Sequence, residues 1–250
     1  MPATPAWPPR SLPRLFVREP LMPGAILTLD ASQANYLGNV LRLGVGSELL
    51  TFDGHSGEWL ARIAESGRKR MTLAVERQTK ELEPTMDVWL AFAPVKRAQT
   101  DWLVEKATEL GAARLVPVMT QRTVAERVKI DRLRSIAIEA AEQCGRTRLP
   151  QIDEPLSLKE LLTNRDPARR LYVADECGGQ AVADAFSAGP ALILTGPEGG
   201  FTSEERAMMR ALPGIVPISL GPRILRAEAA ALAALATFMA IGGDWRLIEP

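Results

Sequence analysis

From Thr85 onward the chain repeats one pattern, and that pattern limits its folds more than any other feature: a short apolar run, then a stretch with helical spacing, then another apolar run. VWLAFA leads into a helix predicted over residues 98–110 and closed by Gly111, and RLVPVM into one over 130–144 closed by Gly145. RRLYVAD, PALILT and GIVPISL continue the series, each followed by a helix candidate. Strands joined through helices must run parallel, with the helices on the sheet faces, so residues 85–250 read as an α/β domain.

The front of the chain has another rhythm. Runs beginning at Arg14, Ala25, Glu48, Glu58 and Met71 are short and β-like, interrupted by one helical stretch over 32–43 whose buried face would carry Leu37, Val40 and Leu41. Five such strands within residues 14–78 suggest a small antiparallel barrel, and the charged, proline-ended stretch at 79–84 reads as a linker. Residues 1–13 begin Pro-rich and read as a disordered tail.

Composition narrows the chemistry. At 46% hydrophobic residues a sizeable core is available, yet no run approaches the ~20 apolar residues that span a bilayer. The amino-terminal residues also lack a signal-peptide pattern, so a cytoplasmic location is expected. Cys144 and Cys177 are too few for a disulfide framework or a zinc cluster, and no metal is expected. His55 is the single histidine and sits in a turn-like stretch, which removes most histidine-dependent catalysis. Net charge is zero, but residues 1–80 carry ten Lys and Arg against seven Asp and Glu, a weak sign of a nucleic-acid-facing front.

Two apolar runs end alike. One closes in Gly196-Pro197, and 25 residues later the next closes in Gly221-Pro222. In a parallel sheet both turns fall at the C-terminal edge, where open α/β sheets bind ligands, so the two loops are expected to share a pocket. TGPEGGFTSEE fits neither phosphate-loop pattern: it has no lysine, Glu198 would repel a phosphate, and Thr202 with Glu205 forms a capping box that already supplies the helix start with an anion. A neutral or cationic ligand such as S-adenosylmethionine suits it better. The second loop brings Arg223, Arg226 and Glu228 to the entrance of a helix holding eight alanines between Ala227 and Ala240. Guanidinium groups there would recognise phosphates or electron-rich carbonyls.

At these residues the chain resembles the RsmE family of 16S rRNA (uracil-N3) methyltransferases of the SPOUT class. LTGPEGGFTSEE, LGPRILRAEAAAL, VEKATELGAARLVPV, IEAAEQCGR and VLRLGVGSELLTFDG carry the likeness. The resemblance implies a PUA-like RNA-binding barrel, a trefoil-knotted α/β domain, a homodimer, and methyl transfer from S-adenosylmethionine to N3 of one uridine in the small-subunit RNA. On that footing the cofactor is expected to rest on Leu194, Thr195, Gly196, Gly199 and Gly200, and on Ile218, Leu220 and Gly221, with Leu225 as an apolar wall. Arg226, then Arg223, would stabilise the uridine anion, and Glu228 or Glu198 would receive the N3 proton. Arg14, Arg18, Arg42, Lys96 and Arg97 are candidates for RNA grip, and Gln143 and Arg146 for an approach to the same pocket, from the partner subunit in one reading. Asn35-Tyr36 stand where many relatives carry histidines. Two other readings stay open: a non-catalytic RNA-binding or ribosome-assembly protein, and an RNA methyltransferase with a different target atom.

Overall fold

Hydrogen-bonded pairing places the strands in two separate sheets. The computed structural model describes residues 12–67, 70–125 and 127–246. The tail expected over 1–13 therefore lies outside the described residues except for its last two, and the Pro13 carbonyl accepts a hydrogen bond from Leu50 at 2.8 Å. The chain divides into two compact units, residues 1–84 with 142–148, and residues 85–141 with 149–250.

The first unit contains β1 (Arg14–Phe16), β2 (Ile26–Thr28), α1 (Ala31–Asn35), β3 (Glu48–Phe52), β4 (Glu58–Gly67) and β5 (Arg70–Lys80). Their order in the sheet is β1-β3-β4-β5-β2. β3, β4, β5 and β2 pair antiparallel as expected, but β1 runs parallel to β3. About thirty residues separate those two strands, enough chain for the crossover a parallel pair needs. The expected 32–43 helix is also shorter. Asp30 caps α1 in a reciprocal box with Gln33, and the backbone then widens into one π-type turn over Tyr36–Val40. That wider turn breaks the three- and four-residue spacing: Leu37 is fully buried, whereas Val40 is exposed.

Glu142–Arg148 was assigned by the sequence pattern to the second domain but groups with this first unit. Arg14 explains the attachment. Its guanidinium pairs with Glu58 at 2.8 Å, stacks over Phe52, and donates to the carbonyls of Glu142 and Arg146, while Phe16 N–H donates to the Glu142 carboxylate at 2.9 Å.

The second unit contains β6 (Val88–Phe92), α2 (Arg97–Glu109), β7 (Arg114–Met119), α3 (Ile130–Cys144, whose last turn belongs to the first unit), β8 (Gln151–Ile152), β9 (Leu156–Ser157), α4 (Leu158–Asn164), β10 (Arg170–Ala174), β11 (Gln180–Ala181), α5 (Val182–Ala185), β12 (Ala191–Thr195), α6 (Ser203–Arg210), β13 (Ile215–Ser219) and α7 (Ala227–Ile241). The strands run in the order β11-β13-β10-β12-β6-β7-β8, all neighbours parallel, with β9 also on β7. Strand alternation gives each face a core. Val88, Leu90 and Phe92 of β6 and Ile193 of β12 pack with α2, α3 and α7; Ala91, Leu192 and Leu194 pack with α4, Phe201 and Met209 on the other side. Burying one Leu or Phe side chain contributes roughly 1.5–3 kcal/mol, so stability is vested in these two layers and the loops at the strand ends are free to be polar and glycine-rich.

Candidate active site

β13, β10 and β12 lie side by side and point the same way, so the loops that leave their C-terminal ends converge. Between those loops is a cavity of about 500 Å³, within the ~300–1,000 Å³ usual for small-molecule sites. The two Gly-Pro turns meet here: Gly196-Pro197 forms one wall and Gly221-Pro222 another.

Thr195, Gly196, Gly199, Gly200, Ile218, Leu220, Gly221 and Leu225 line the cavity, as do Glu198, Arg223 and Arg226. Leu194, expected to contribute through its backbone, is not among the lining residues, and its side chain is fully buried in the core. Glu228 does not line the cavity; it is buried in the first turn of α7, where a carboxylate faces the positive end of the helix dipole.

Local chemistry explains the shape of the first loop. Gly200 holds φ at 63°, and a β-carbon there would run into the Glu176 carboxylate. Thr202 and Glu205 form the expected capping box, but Glu205 is almost fully buried and its second oxygen accepts the Gln121 N–H at 2.8 Å. Arg122, one residue on, donates to the Gly199 carbonyl at 2.7 Å. The loop is therefore held from beneath by the segment that follows β7.

A second clamp comes from the turn that follows β10. Arg206 of α6 donates to both oxygens of Asp175 at 2.8 and 3.1 Å and also reaches Glu176. Burial pushes the Asp175 carboxyl up, but the hydrogen bonds from Arg206 and from the Cys177 backbone outweigh it and hold the group below the ordinary aspartate value. The pairing raises Arg206 in turn. Asp175, Glu176 and Cys177 bring ligand atoms within 4.8 Å of one another, yet the two carboxylates are engaged by Arg206. Asp175, Glu176, Arg206 and Arg122 were not expected at the site, because their partners lie 30 to 77 residues away in sequence.

The expected RNA-gripping residues are dispersed. Arg14 is removed from that set: its side chain is 8% exposed and committed to Glu58. Arg18 and Arg42 are exposed in the first unit, and Lys96 and Arg97 are exposed at the start of α2. Gln143 is exposed and Arg146 half-buried; neither lines the cavity, and both lie in the segment that groups with the first unit.

The cavity suits an adenosyl group carrying a sulfonium. Its walls are mostly glycine, proline and aliphatic side chains, its carboxylate Glu198 can face a cation, and Arg223 and Arg226 can face a carboxylate.

Comparison with known proteins agrees with this chemistry. Residues 81–239 match the family model described as an RNA methyltransferase domain, and residues 29–76 match the one described as an RNA methyltransferase PUA domain. The chain is 30% identical over 234 residues to ribosomal RNA small subunit methyltransferase E of Rickettsia conorii, covering 92% of this chain and 96% of that one. Among solved structures, ribosomal RNA small subunit methyltransferase E of Neisseria gonorrhoeae bound to S-adenosyl methionine superposes with a TM-score of 0.86 at 26% identity, covering 94% of this chain and 99% of the other. A Legionella pneumophila protein in complex with the cofactor SAM also gives 0.86, at 29% identity, covering 93% and 99%.

Proposed function

Since the chain belongs to the ribosomal RNA small subunit methyltransferase E family, we propose that its cavity positions one uridine of 16S rRNA for methylation at N3. The protein is an S-adenosylmethionine-dependent rRNA methyltransferase. The observation that carries the reading is the meeting of the Gly196 and Gly221 turns in one cavity at the C-terminal edge of adjacent parallel strands.

S-adenosylmethionine supplies an electrophilic methyl group on a positively charged sulfur. Backbone at Thr195–Gly196 and Ile218–Gly221 would hold its adenosyl part, with Leu225 as the apolar wall. Transfer requires donor and acceptor in line, about 3–3.5 Å apart, so positioning dominates. Uridine N3 carries a proton at neutral pH. Glu198, an exposed lining residue of the cavity, would receive it, while Arg226 and Arg223 would stabilise the negative charge spreading onto O2 and O4. The buried place of Glu228 leaves it to support the start of α7.

The first unit acts as a PUA-like barrel that grips RNA through Arg18 and Arg42. β12 returns to lie between β6 and β10 after the chain has already laid down both, which supports reading the C-terminal segment as threaded in a trefoil knot. Exposed Val124 and Ile224, at 81% and 89%, support a homodimer that covers apolar surface. Among the described residues no helix is long and apolar enough to cross a membrane, and ribosomal RNA as substrate supports a cytoplasmic place of work.

The test is mass spectrometry of rRNA nucleosides from cells lacking this protein. The expected outcome is loss of one N3-methyluridine from small-subunit RNA, restored by the intact gene. A full complement of that nucleoside in the deleted strain overturns the assignment.

A further inference from the structure

A second cavity opens in the same unit, about 230 Å³ in size, between the start of α2 and the start of α3. Its lining is strongly one-sided: Lys96, Arg97, Arg127, Lys129 and Arg132 surround a single carboxylate, Asp101. Arg132 donates to both oxygens of Asp101, at 2.7 and 3.0 Å to one and 3.1 Å to the other, and Arg97 lies 4.0 Å from it. Asp101 is thus already matched, and among the described residues Lys96, Arg127 and Lys129 have no carboxylate partner. Cations that only solvate a surface spread apart, whereas these converge on a concavity with Val95, Thr100, Val128 and Leu133 at its floor.

Topology relates this cleft to the methylation cavity. The loops after β6 and β7 form the cleft, the loops after β10, β12 and β13 form the cavity, and the strands run β13-β10-β12-β6-β7 in parallel. Both openings therefore lie along one edge of one sheet. Three strand spacings separate β10 from β7, about 14 Å at ~4.8 Å each. The loop after β7 touches both: Arg122 at its start holds the Gly199 carbonyl, and Arg127 and Lys129 at its end line the cleft.

We propose that this cleft binds a backbone phosphate of the rRNA strand whose uridine enters the methylation cavity, with Arg127 and Lys129 as the main contacts and Lys96 and Arg97 beside them. The proposal rests on the rRNA-methyltransferase reading. A phosphate seated here would fix the strand's register along the sheet edge, and would brace the loop that carries Arg122 beneath the glycine turn.

The test compares the full chain with its Arg127→Ala/Lys129→Ala double variant and a control, Lys159→Ala, an exposed cation outside both cavities. Cofactor binding is followed by calorimetry with S-adenosylmethionine, and RNA binding by fluorescence anisotropy with a small-subunit rRNA fragment over a salt series. The double variant is expected to keep its cofactor affinity and its melting temperature, to lose on the order of tenfold in RNA affinity, and to show a salt slope shallower by about 0.7–0.9, as one lost phosphate requires. The control should match the parent. An unchanged salt slope in the double variant overturns the proposal while leaving methyl transfer intact. If inorganic phosphate protects the parent but not the double variant against thermal unfolding, and RNA affinity is equal in both, the cleft is a free-anion site and the RNA assignment is wrong. A parent that takes neither cofactor nor RNA sinks the function itself.

Discussion

Arg42 holds φ at 58°, the one non-glycine among the described residues in the left-handed region. It follows the π-type turn at the position where helices commonly end in glycine, and Leu43 N–H closes the turn on the Leu37 carbonyl at 2.9 Å. A residue with a β-carbon is strained there, and the Arg42 side chain is exposed. Arg42→Gly is expected to raise stability by about 0.5–1 kcal/mol, the relief of left-handed strain less the entropy glycine loses on folding, and to weaken RNA binding. Chemical denaturation and RNA titration of one variant check both signs; unchanged RNA affinity would place Arg42 outside the interface. Arg14 shows the opposite outcome. In the sequence the two arginines look alike, and only burial against Glu58 and Phe52 separates a structural cation from an available one.

At the scale of elements, the first glycine loop is shaped by its clamps as much as by its own residues. Arg206→Met would strand Asp175, whose side chain is 7% exposed. The expected loss is about 2–3 kcal/mol at pH 7, below the usual figure for a fully buried pair because Arg206 is 15% exposed. Asp175 titrates below its ordinary value in the folded chain. Its contribution is therefore complete above about pH 4 and fades as the pH falls through the lower folded value. Denaturation of parent and variant should differ most near neutrality and converge in acid; a constant gap would assign the effect to packing. The capping box was legible because Thr202 and Glu205 stand three apart, and the shared cavity because parallel strands carry their exits to one edge. The clamps were not: no periodicity links Arg122 to Gly199 or Arg206 to Asp175. The parallel β1–β3 pair was hidden for a similar reason, since strand direction depends on a crossover whose path local pattern does not record.

For the whole molecule, a ligand that binds only the native second unit stabilises that unit by mass action, about 2.7 kcal/mol at a hundred times its Kd. Calorimetric melting with saturating S-adenosylmethionine should move the transition of residues 85–141 and 149–250 upward; no shift at any concentration would contradict the cavity assignment. Strand and helix alternation revealed the architecture of this unit, but nothing in it marked Glu142–Arg148 as belonging with the first. That exchange of seven residues sets a schedule for synthesis. A fragment cut after Pro84 ends at an obvious linker, yet leaves Arg14 and Phe16 without the acceptors they use at Glu142 and Arg146. On the ribosome the same gap is a waiting time: at ~5–20 residues per second, about 3–13 s pass between the emergence of Pro84 and of Arg148. The amino-terminal unit of this rRNA-modifying enzyme is therefore completed only after more than half of the chain has been translated.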